Sequence, residues 1–330
     1  MGSPAKVSIV VLTYNREEEL IKTINNLSNL KYEGLEIIVV DNASKEPAKI
    51  ILDNFCNVKV ITLDENIGVG ARNIGISEAS GKYVITLDDD VRGLKDEDIL
   101  VLIDSFEKDE SIAAINFKVL EEGTGKQINW CHHRKVEEWG DREFDTFEIS
   151  EGAVAFRREV VINAGLYPDY YFISHEGPDL AIRLMNNGYI VSYNPKVIVE
   201  HAQSLTARVS WRRYYYDTRN LIWFIFKYFG FRVGVKKLVI GLGALFVYSV
   251  RDGYIKYWFK GVFDSLKVLK KVKEDKVQIN KKTWRRYKEI ESFSPSFLYQ
   301  LKKRLFNKNS LEFTHRRRGH CYRWHTAAFV

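Results

Sequence analysis

The chain is poor in cysteine and has no recognisable export signal. Its 330 residues include three cysteines, Cys56, Cys131 and Cys321, which lie far apart in the sequence. An odd number at this spacing indicates neither a disulfide framework nor a zinc site, and it fits a reducing compartment. The first apolar run, residues 7–12, is only as long as a strand and lacks a basic leader, so no signal peptide is predicted.

Two common nucleotide-binding motifs are also absent. The chain has no GxxxxGK[ST] loop, and no GxGxxG follows the first predicted strand. These absences argue against a P-loop nucleotide hydrolase and against a dinucleotide-dependent dehydrogenase. Any nucleotide is therefore expected to be held by a different arrangement of residues.

Charge is divided unevenly along the chain. Residues 1–200 carry a formal charge of −14, whereas residues 201–330 carry +21, which together give the net +7. An acidic front joined to a basic back predicts two separate roles. The back half is expected to be attracted to an anionic surface, either lipid or nucleic acid.

The front half alternates apolar strands with helical stretches. Continuous apolar runs predict strands at 7–12, 36–40, 58–63 and 83–87. Such runs are typical of parallel strands with both faces covered, and the stretches between them have helical apolar periodicity. The predicted fold class is therefore α/β, with a mainly parallel, mixed sheet between helices.

All four predicted strands end in polar residues. The carboxyl ends of parallel strands meet at one edge of a sheet, and ligands bind outside that edge. Polar loops occur in any protein, but four in succession favour one composite site. Its candidate residues are Thr13, Tyr14, Asn15, Asp41, Asn66, Gly68, Arg72, Asp88, Asp89 and Asp90.

Three adjacent carboxylates, Asp88, Asp89 and Asp90, repel one another and are poor strand formers. Clustered carboxylates suit Mg²⁺ or Mn²⁺, and such a metal commonly bridges to phosphate oxygens. The pattern therefore predicts a metal-held nucleoside diphosphate. Arg72, in a glycine-rich helix start, is a candidate phosphate ligand, although a solvated helix arginine explains its position equally well.

The segments VSIVVLTYNR, EIIVVDNAS, ENIGVGARNIGI and YVITLDDDV resemble, in order and spacing, the nucleotide-sugar-binding domain of family 2 glycosyltransferases. The resemblance covers roughly residues 5–225 and implies an inverting enzyme with the GT-A fold. It also implies base contact for Thr13, Tyr14 and Asp41, ribose contact for Asp89, and metal binding by Asp88 and Asp90.

The stretch HEGPDLAIRLMNNGY, residues 175–189, predicts a helix with Pro178 in its first turn. Glu176 and Asp179 then lie at its N-terminus, where a negative charge is stabilised. Family members show two adjacent acids here, the second being the expected base, but this chain has Gly177 at that position. Glu176 is the preferred catalytic base and Asp179 the second candidate, with helix capping as the alternative for both.

Two further segments resemble family motifs. His201, in KVIVEHAQSLTAR, matches a histidine that completes the metal site in many members, although a lone histidine is otherwise more often structural. The segment WRRYYYDTRN resembles one found in bacterial polysaccharide and rhamnosyl-type members. Its Trp211, Arg212 and Arg219 are candidates for contacting the diphosphate or the acceptor, and a membrane-facing surface is the alternative.

The back half contains LVIGLGALFVYSV, a run of 13 uncharged residues at 238–250. This is shorter than the roughly 17–25 residues of a spanning helix. Basic residues interleaved with aromatics favour an interfacial membrane anchor. The apolar content disfavours nucleic acid, and a packed helical subdomain is the alternative. The predicted domains are a catalytic GT-A domain (1–207), a helical membrane-associating region (208–310) and a vector-derived or disordered tail (311–330).

The family resemblance, together with the acidic strand ends, implies a metal-dependent, inverting glycosyltransferase. It would move a sugar from a UDP- or dTDP-sugar to a hydroxyl of a lipid-linked saccharide, at the cytoplasmic face of the membrane, in cell-surface polysaccharide synthesis. Two alternatives stay open. One is a non-catalytic, membrane-bound assembly partner, suggested by Gly177, and the other is a sugar nucleotidyltransferase, which would release pyrophosphate.

Overall fold

The computed structural model describes residues 6–55, 57–202, 211–296 and 299, and within these residues nine strands form one sheet. The strands are β1 (Val7–Thr13), β2 (Leu35–Asp41), β3 (Val58–Thr62), β4 (Tyr83–Asp88), β5 (Val91–Arg92), β6 (Ile112–Glu121), β7 (Phe144–Asp145), β8 (Ala153–Arg157) and β9 (Ile190–His201).

The sheet is mixed, and its first four strands are parallel neighbours. The order is β3-β2-β1-β4-β8-β6-β9-β5, and β7 pairs with β9. β8 runs antiparallel to β4 and β6, while β9 is parallel to β6 and antiparallel to β5. The mainly parallel, mixed sheet predicted from the sequence is confirmed, and the four strand ends that carry polar residues lie along one edge.

Seven helices accompany the sheet in the described residues. They are α1 (Glu17–Ser28), α2 (Ala48–Ile51), α3 (Ala71–Glu78), α4 (Asp96–Lys108), α5 (Val136–Trp139), α6 (Arg158–Asn163) and α7 (Glu176–Asn186). In α1, Leu20, Ile24 and Leu27 recur at helical spacing and are buried in the core, in agreement with the predicted apolar periodicity. In α3, a Cβ on Gly75 would lie 2.4 Å from Val10 Cγ1, so a glycine is needed for this helix to pack closely on β1.

The chain divides into two units. The first consists of Met1–Trp130, Val136–Phe172 and Glu176–Ala202, and it contains the sheet. The second consists of Cys131–Lys135, Ile173–His175 and Gln203–Val330. The predicted domain boundary at 207 and the predicted tail at 311–330 lie outside the described residues.

The described part of the second unit is helical, with α8 (Trp211–Tyr228), α9 (Phe231–Arg251), α10 (Ile255–Ser265), α11 (Leu269–Glu274) and α12 (Lys281–Ser292). A Cβ on Gly261 of α10 would lie 2.7 Å from the Tyr215 carbonyl oxygen of α8. The Trp223 indole of α8 donates to the Ser265 carbonyl at 2.7 Å. α8 is thus the helix on which α10 packs closely.

The 13-residue apolar run of the sequence lies inside the longer helix α9. Among the described helices, α9 alone has the length and the apolar composition that a membrane crossing requires. An 18-residue segment of α9 has a mean hydropathy of 1.7, and 28% of that segment is buried. The length of α9 therefore does not exclude a spanning helix. The expectation that this region is too short to span, based on the 13 uncharged residues alone, is not supported. Composition of one helix is weak support for a crossing.

Candidate active site

The carboxylates that follow β4 are held together by a cation from the end of β1. Strands β1 and β4 are parallel neighbours, with Leu12 opposite Asp88. Arg16 donates to Asp89 Oδ1 at 2.9 Å and to Asp90 Oδ2 at 2.6 Å. Thr13 Oγ1 donates to Asp89 Oδ2 at 2.8 Å. One guanidinium therefore compensates two of the three adjacent charges.

A second cation, Arg72, compensates the third carboxylate. Its side chain is 3% exposed, and it donates to the Leu87 carbonyl at 2.9 Å and to Asp88 Oδ1. The alternative of a solvated helix arginine is therefore wrong. Contact between Arg72 and a phosphate stays a prediction, but the guanidinium is fixed beside the carboxylate that was predicted to hold the metal.

Asp89 is buried and accepts hydrogen bonds from Thr13 and Arg16. Burial raises the pKa of Asp89 to about 7, the charge of Arg16 opposes this shift, and the charge of Asp90 adds to it. Thr23 Oγ1 also donates to the Asp89 backbone carbonyl at 2.7 Å. Asp89 thus anchors the turn after β4 to β1 and α1, whereas the Asp88 side chain is 28% exposed.

Asp88, Asp90 and His201 form a group whose ligand atoms all lie within 4.8 Å of one another. His201 comes from the end of β9, opposite Val91 of β5, and its Nε2 is 3.1 Å from Asp90 Oδ1. Burial lowers the pKa of His201, but its hydrogen bond to Asp90 and the charges of Asp90 and Asp88 outweigh burial and raise that pKa.

The donor set of this group fits a divalent metal. Carboxylate oxygens and an imidazole nitrogen suit Mn²⁺, and the oxygens suit Mg²⁺. His201 Nδ1 is buried and has no hydrogen-bond partner among the described residues. The three predicted ligands are thus brought together by contacts between sequence-distant strands.

The ends of β2 and β3 are tied together by Asn42. Its Nδ2 donates to Asn66 Oδ1 and to the Gly68 carbonyl, both at 3.0 Å, and its Oδ1 accepts from the Ile67 amide at 3.0 Å. Asp41 beside it is fully buried and accepts from the amides of Ser44 and Ala48, both at 2.9 Å. These bonds order two of the four loops at the strand ends.

Gly68 has a structural reason to be glycine. Its φ is +66°, and a Cβ there would lie 2.1 Å from the Phe172 carbonyl oxygen. The adjacent Val69 amide donates to that same carbonyl at 2.7 Å. Residues 66–69 and the segment that leads toward α7 are therefore held in contact.

Tyr14 and Asn15 occupy the rim of the same edge. The Tyr14 side chain is exposed, while Asn15 adopts a φ of +53°. The Asn15 amide donates to Ser44 Oγ at 2.9 Å, and its Oδ1 accepts from the Lys45 amide at 2.8 Å. The loops after β1 and β2 are thus joined beneath an exposed aromatic ring, which suits a planar base.

Helix α7 starts at Glu176, two residues before Pro178, so Pro178 lies in its first turn as predicted. A helix that started at Pro178 would have left Glu176 just outside it, and that expectation is wrong, because both candidate bases are in the first turn. Asp179 is fully buried and accepts from Tyr171 Oη at 3.1 Å and from Arg183 Nε at 2.9 Å. Arg183 also donates to the carbonyls of Ala164 and Leu166, so Asp179 takes part in a structural network.

Trp211, Arg212 and Arg219 belong to the second unit, where they form aromatic contacts. The Trp211 ring stacks on Tyr257 at 4.9 Å, and the Arg212 guanidinium is 5.8 Å from the Trp211 ring. The Arg219 guanidinium lies 4.3 Å from the Trp223 ring, and burial lowers its pKa. Their contact with an acceptor or a diphosphate stays a prediction.

Several residues of the site were missed from the sequence. Arg16 follows the TYN segment of the first motif, and the need for a cation beside three carboxylates was the available signal. Asn42 stands within the second motif. Gly152, before β8, gave no signal, yet a Cβ there would lie 2.2 Å from Asp88 Oδ2. The site therefore depends on an absent side chain as well as on charged ones.

The mixed sheet, with an acidic group beyond its parallel strand ends, has the architecture of the GT-A fold. The Glycosyl transferase family 2 model matches residues 8–164, just under half of the chain. This matched segment contains the strand-end motifs that resemble the family.

Two curated relatives match more than half of this chain. A glucosyl-dolichyl phosphate glucuronosyltransferase of Haloferax volcanii is 27% identical over 59% of this chain and 69% of its own length. An O-antigen chain rhamnosyltransferase of Salmonella typhimurium is 22% identical over 64% of this chain and 70% of its own. The resemblance to bacterial polysaccharide transferases is confirmed.

Solved structures support the GT-A fold. Residues 1–349 of Staphylococcus aureus TarS, in complex with UDP-GlcNAc, match 94% of this chain and 89% of that chain, with a TM-score of 0.56 and 16% identity. A Pyrobaculum calidifontis mannosyltransferase, in complex with GDP-Man and Mn²⁺, matches 93% and 88%, with a TM-score of 0.52 and 14% identity.

The Asp179 network yields a stability prediction. Asp179→Asn keeps the size of the side chain but weakens its bonds to Tyr171 and Arg183, which is expected to lower stability by about 1.5–3 kcal/mol. Thermal unfolding should therefore show a lower Tm, with UDP affinity unchanged at temperatures where the variant is folded. Asp53→Asn, at an exposed position, is the matched control with an unchanged Tm. A stable Asp179→Asn variant would contradict the structural role.

Proposed function

We propose that the protein is a metal-dependent, inverting glycosyltransferase that uses a UDP- or dTDP-sugar and a saccharide acceptor. The observation that carries the proposal is the group of Asp88, Asp90 and His201, with Arg72 beside it, at the edge where four parallel strands end. Both solved neighbours were captured with nucleotide sugars, and the mannosyltransferase also with Mn²⁺. The family domain spans this edge.

Asp88, Asp90 and His201 would hold the metal, Mn²⁺ or Mg²⁺. When bound there, the cation supplies positive charge against the diphosphate leaving group. Arg72 donates a hydrogen bond to Asp88 and adds a fixed positive charge beside the proposed metal ligands. Thr13, Tyr14 and Asp41 line the ends of β1 and β2, where the base is proposed to bind, and Asp89 is proposed to face the ribose.

The transfer itself is proposed as a single displacement. A carboxylate accepts the proton of the acceptor hydroxyl, whose oxygen attacks the anomeric carbon. The bond from that carbon to the diphosphate breaks on the opposite face, and its electron pair leaves with the nucleoside diphosphate. Glu176 is the favoured proton acceptor, because Asp179 is engaged by Tyr171 and Arg183.

Metal-dependent nucleotide binding tests the proposal directly. Asp90→Asn removes one ligand charge while keeping the shape, and it is expected to weaken Mn²⁺-dependent UDP binding at least tenfold in calorimetric titration. Because Asp90 is buried and paired with Arg16 and His201, an alanine there would also disturb the fold, which makes asparagine the sharper change.

Asp104→Asn on the exposed face of α4 is the control, with wild-type affinity expected. Equal Mn²⁺-dependent affinity in Asp90→Asn and the wild type would reject the metal assignment. Release of pyrophosphate, rather than of UDP or dTDP, would instead identify a sugar nucleotidyltransferase.

Glu176→Gln tests the proton acceptor. The variant is expected to stay folded, bind UDP with Mn²⁺ normally and lose about 10²–10⁴ in transfer rate, since it no longer accepts a proton. The rate is measured as UDP or dTDP release from a panel of nucleotide sugars. Near-native turnover in this variant would reject the assignment, and a wild type that binds UDP but turns over no donor would favour the non-catalytic alternative.

The second unit is proposed to associate with membrane, which fits a lipid-linked acceptor at the inner face of the cell membrane. Exposed apolar side chains recur on α9, on α10 and at Leu266 directly after α10, and we call this set the apolar surface. It comprises Phe231, Val235, Val239, Val247, Val250, Phe259, Phe263 and Leu266. Arg232, Lys236, Lys256 and Lys260 on the same helices are also exposed. Apolar residues beside basic ones are typical of interfacial helices.

Vesicle co-sedimentation tests this surface. Binding to vesicles that contain phosphatidylglycerol should exceed binding to pure phosphatidylcholine and should weaken as salt rises, since each basic residue contributes about 1 kcal/mol near an anionic surface. Val239→Glu with Phe263→Glu should reduce binding. The control pair, Ile50→Glu with Leu100→Glu, alters exposed apolar residues of the first unit and should not. Tight binding to DNA without vesicle binding would overturn the proposal.

A further inference from the structure

Gly177 stands where the family resemblance implies an acid, and other atoms occupy the space that a side chain there would fill. A Cβ on Gly177 would lie 2.5 Å from Glu151 Oε1 and 2.3 Å from the Ile149 carbonyl oxygen. The first distance is close to the reach from Cβ to a carboxylate oxygen within one aspartate side chain. A carboxylate from another part of the chain therefore occupies space that a side chain at residue 177 would fill.

Glu151 is fixed by the strands that build the metal site. Its backbone carbonyl accepts from Thr86 Oγ1 of β4 at 2.6 Å, two residues before Asp88. The next residue, Gly152, accepts from the Asp88 amide at 3.2 Å and leaves room for the Asp88 carboxylate. Glu151 thus lies between the start of α7 and the end of β4. The residue is 2% exposed.

A buried hydroxyl near Glu176 and Asp88 lacks a hydrogen-bond partner. Tyr167 is 2% exposed, and its Oη has no hydrogen-bond partner among the described residues. Burial raises the pKa of Tyr167, and the charges of Arg72, Glu176 and Asp88 all act on the same hydroxyl. Leaving a buried hydroxyl unsatisfied is unfavourable, and a bound sugar hydroxyl or phosphate oxygen would satisfy it.

We propose that Glu151 is a further catalytic carboxylate, which acts with Glu176 on the acceptor hydroxyl and replaces the acid missing at Gly177. The inference rests on the proposed transfer reaction. One proton moves from the acceptor hydroxyl to this pair of carboxylates, the acceptor oxygen bonds to the anomeric carbon, and the bond to the diphosphate breaks. No other reactant is required.

The test is a double-variant cycle on the full chain. Glu151→Gln, Glu176→Gln and the double variant are assayed for UDP or dTDP release with the nucleotide-sugar panel and Mn²⁺. Glu151→Gln is expected to lose about 10²–10⁴ in rate, and the double variant should lose little more than either single variant, since groups that act as a unit are not additive. UDP affinity and Tm should stay at the wild-type level.

Glu151→Asp separates catalysis from folding, because it keeps the charge but withdraws the carboxylate from Gly177. It should remain folded and lose most of the rate. Glu159→Gln, an exposed glutamate on α6, is the matched control with unchanged rate.

Three results would overturn the inference. A Glu151→Gln variant within a few-fold of wild-type turnover would do so. So would fully multiplicative losses in the double variant, or loss of UDP binding and Tm in both Glu151 variants, which would indicate a structural role. If the wild type itself binds neither UDP nor any donor, the proposed function fails and the inference fails with it, a result distinct from an active wild type with a tolerant Glu151.

Discussion

Compensation of three adjacent carboxylates is the constraint on which the rest of this site depends. Asp88, Asp89 and Asp90 end a central strand, and two of them are almost fully buried. A buried charge without compensation costs several kcal/mol, so the turn after β4 requires cations at fixed places. Arg16 and Arg72 meet this requirement from two different elements, and both elements must dock on the sheet for the carboxylates to stay together.

The same constraint explains how far the sequence could be interpreted. Continuous apolar runs identified β1 to β4 within a residue or so of their observed bounds, because parallel strands with both faces covered have no other pattern. The polar residues after each run then had to meet at one edge, and the parallel pairing of β1 to β4 brings those strand ends together. Local sequence was sufficient wherever one strand and its own loop decided the outcome.

Contacts between strands that are far apart in the sequence could not be predicted in this way. His201 reaches Asp90 only because β9 pairs with the two-residue strand β5, which is too short to have a periodicity of its own. Arg16 was overlooked because its partners lie more than seventy residues away. The family resemblance identified His201 as a candidate metal ligand. The structure adds the strand pairing that brings His201 to Asp90. The start of α7 was misplaced because Pro178 is compatible with more than one position in a first helical turn.

The interpretation of Gly177 differs between the sequence and the structure. In the sequence it is a lost acid and favours a protein without catalysis. In the structure, the space beside it holds the carboxylate of Glu151, whose neighbour in the chain, Gly152, leaves room for the Asp88 carboxylate. On the proposal made for Glu151, a reaction that must remove a proton beside a charged diphosphate has a use for a second carboxylate at this place. The glycine then leaves room for a base, and on that proposal it no longer favours a protein without catalysis.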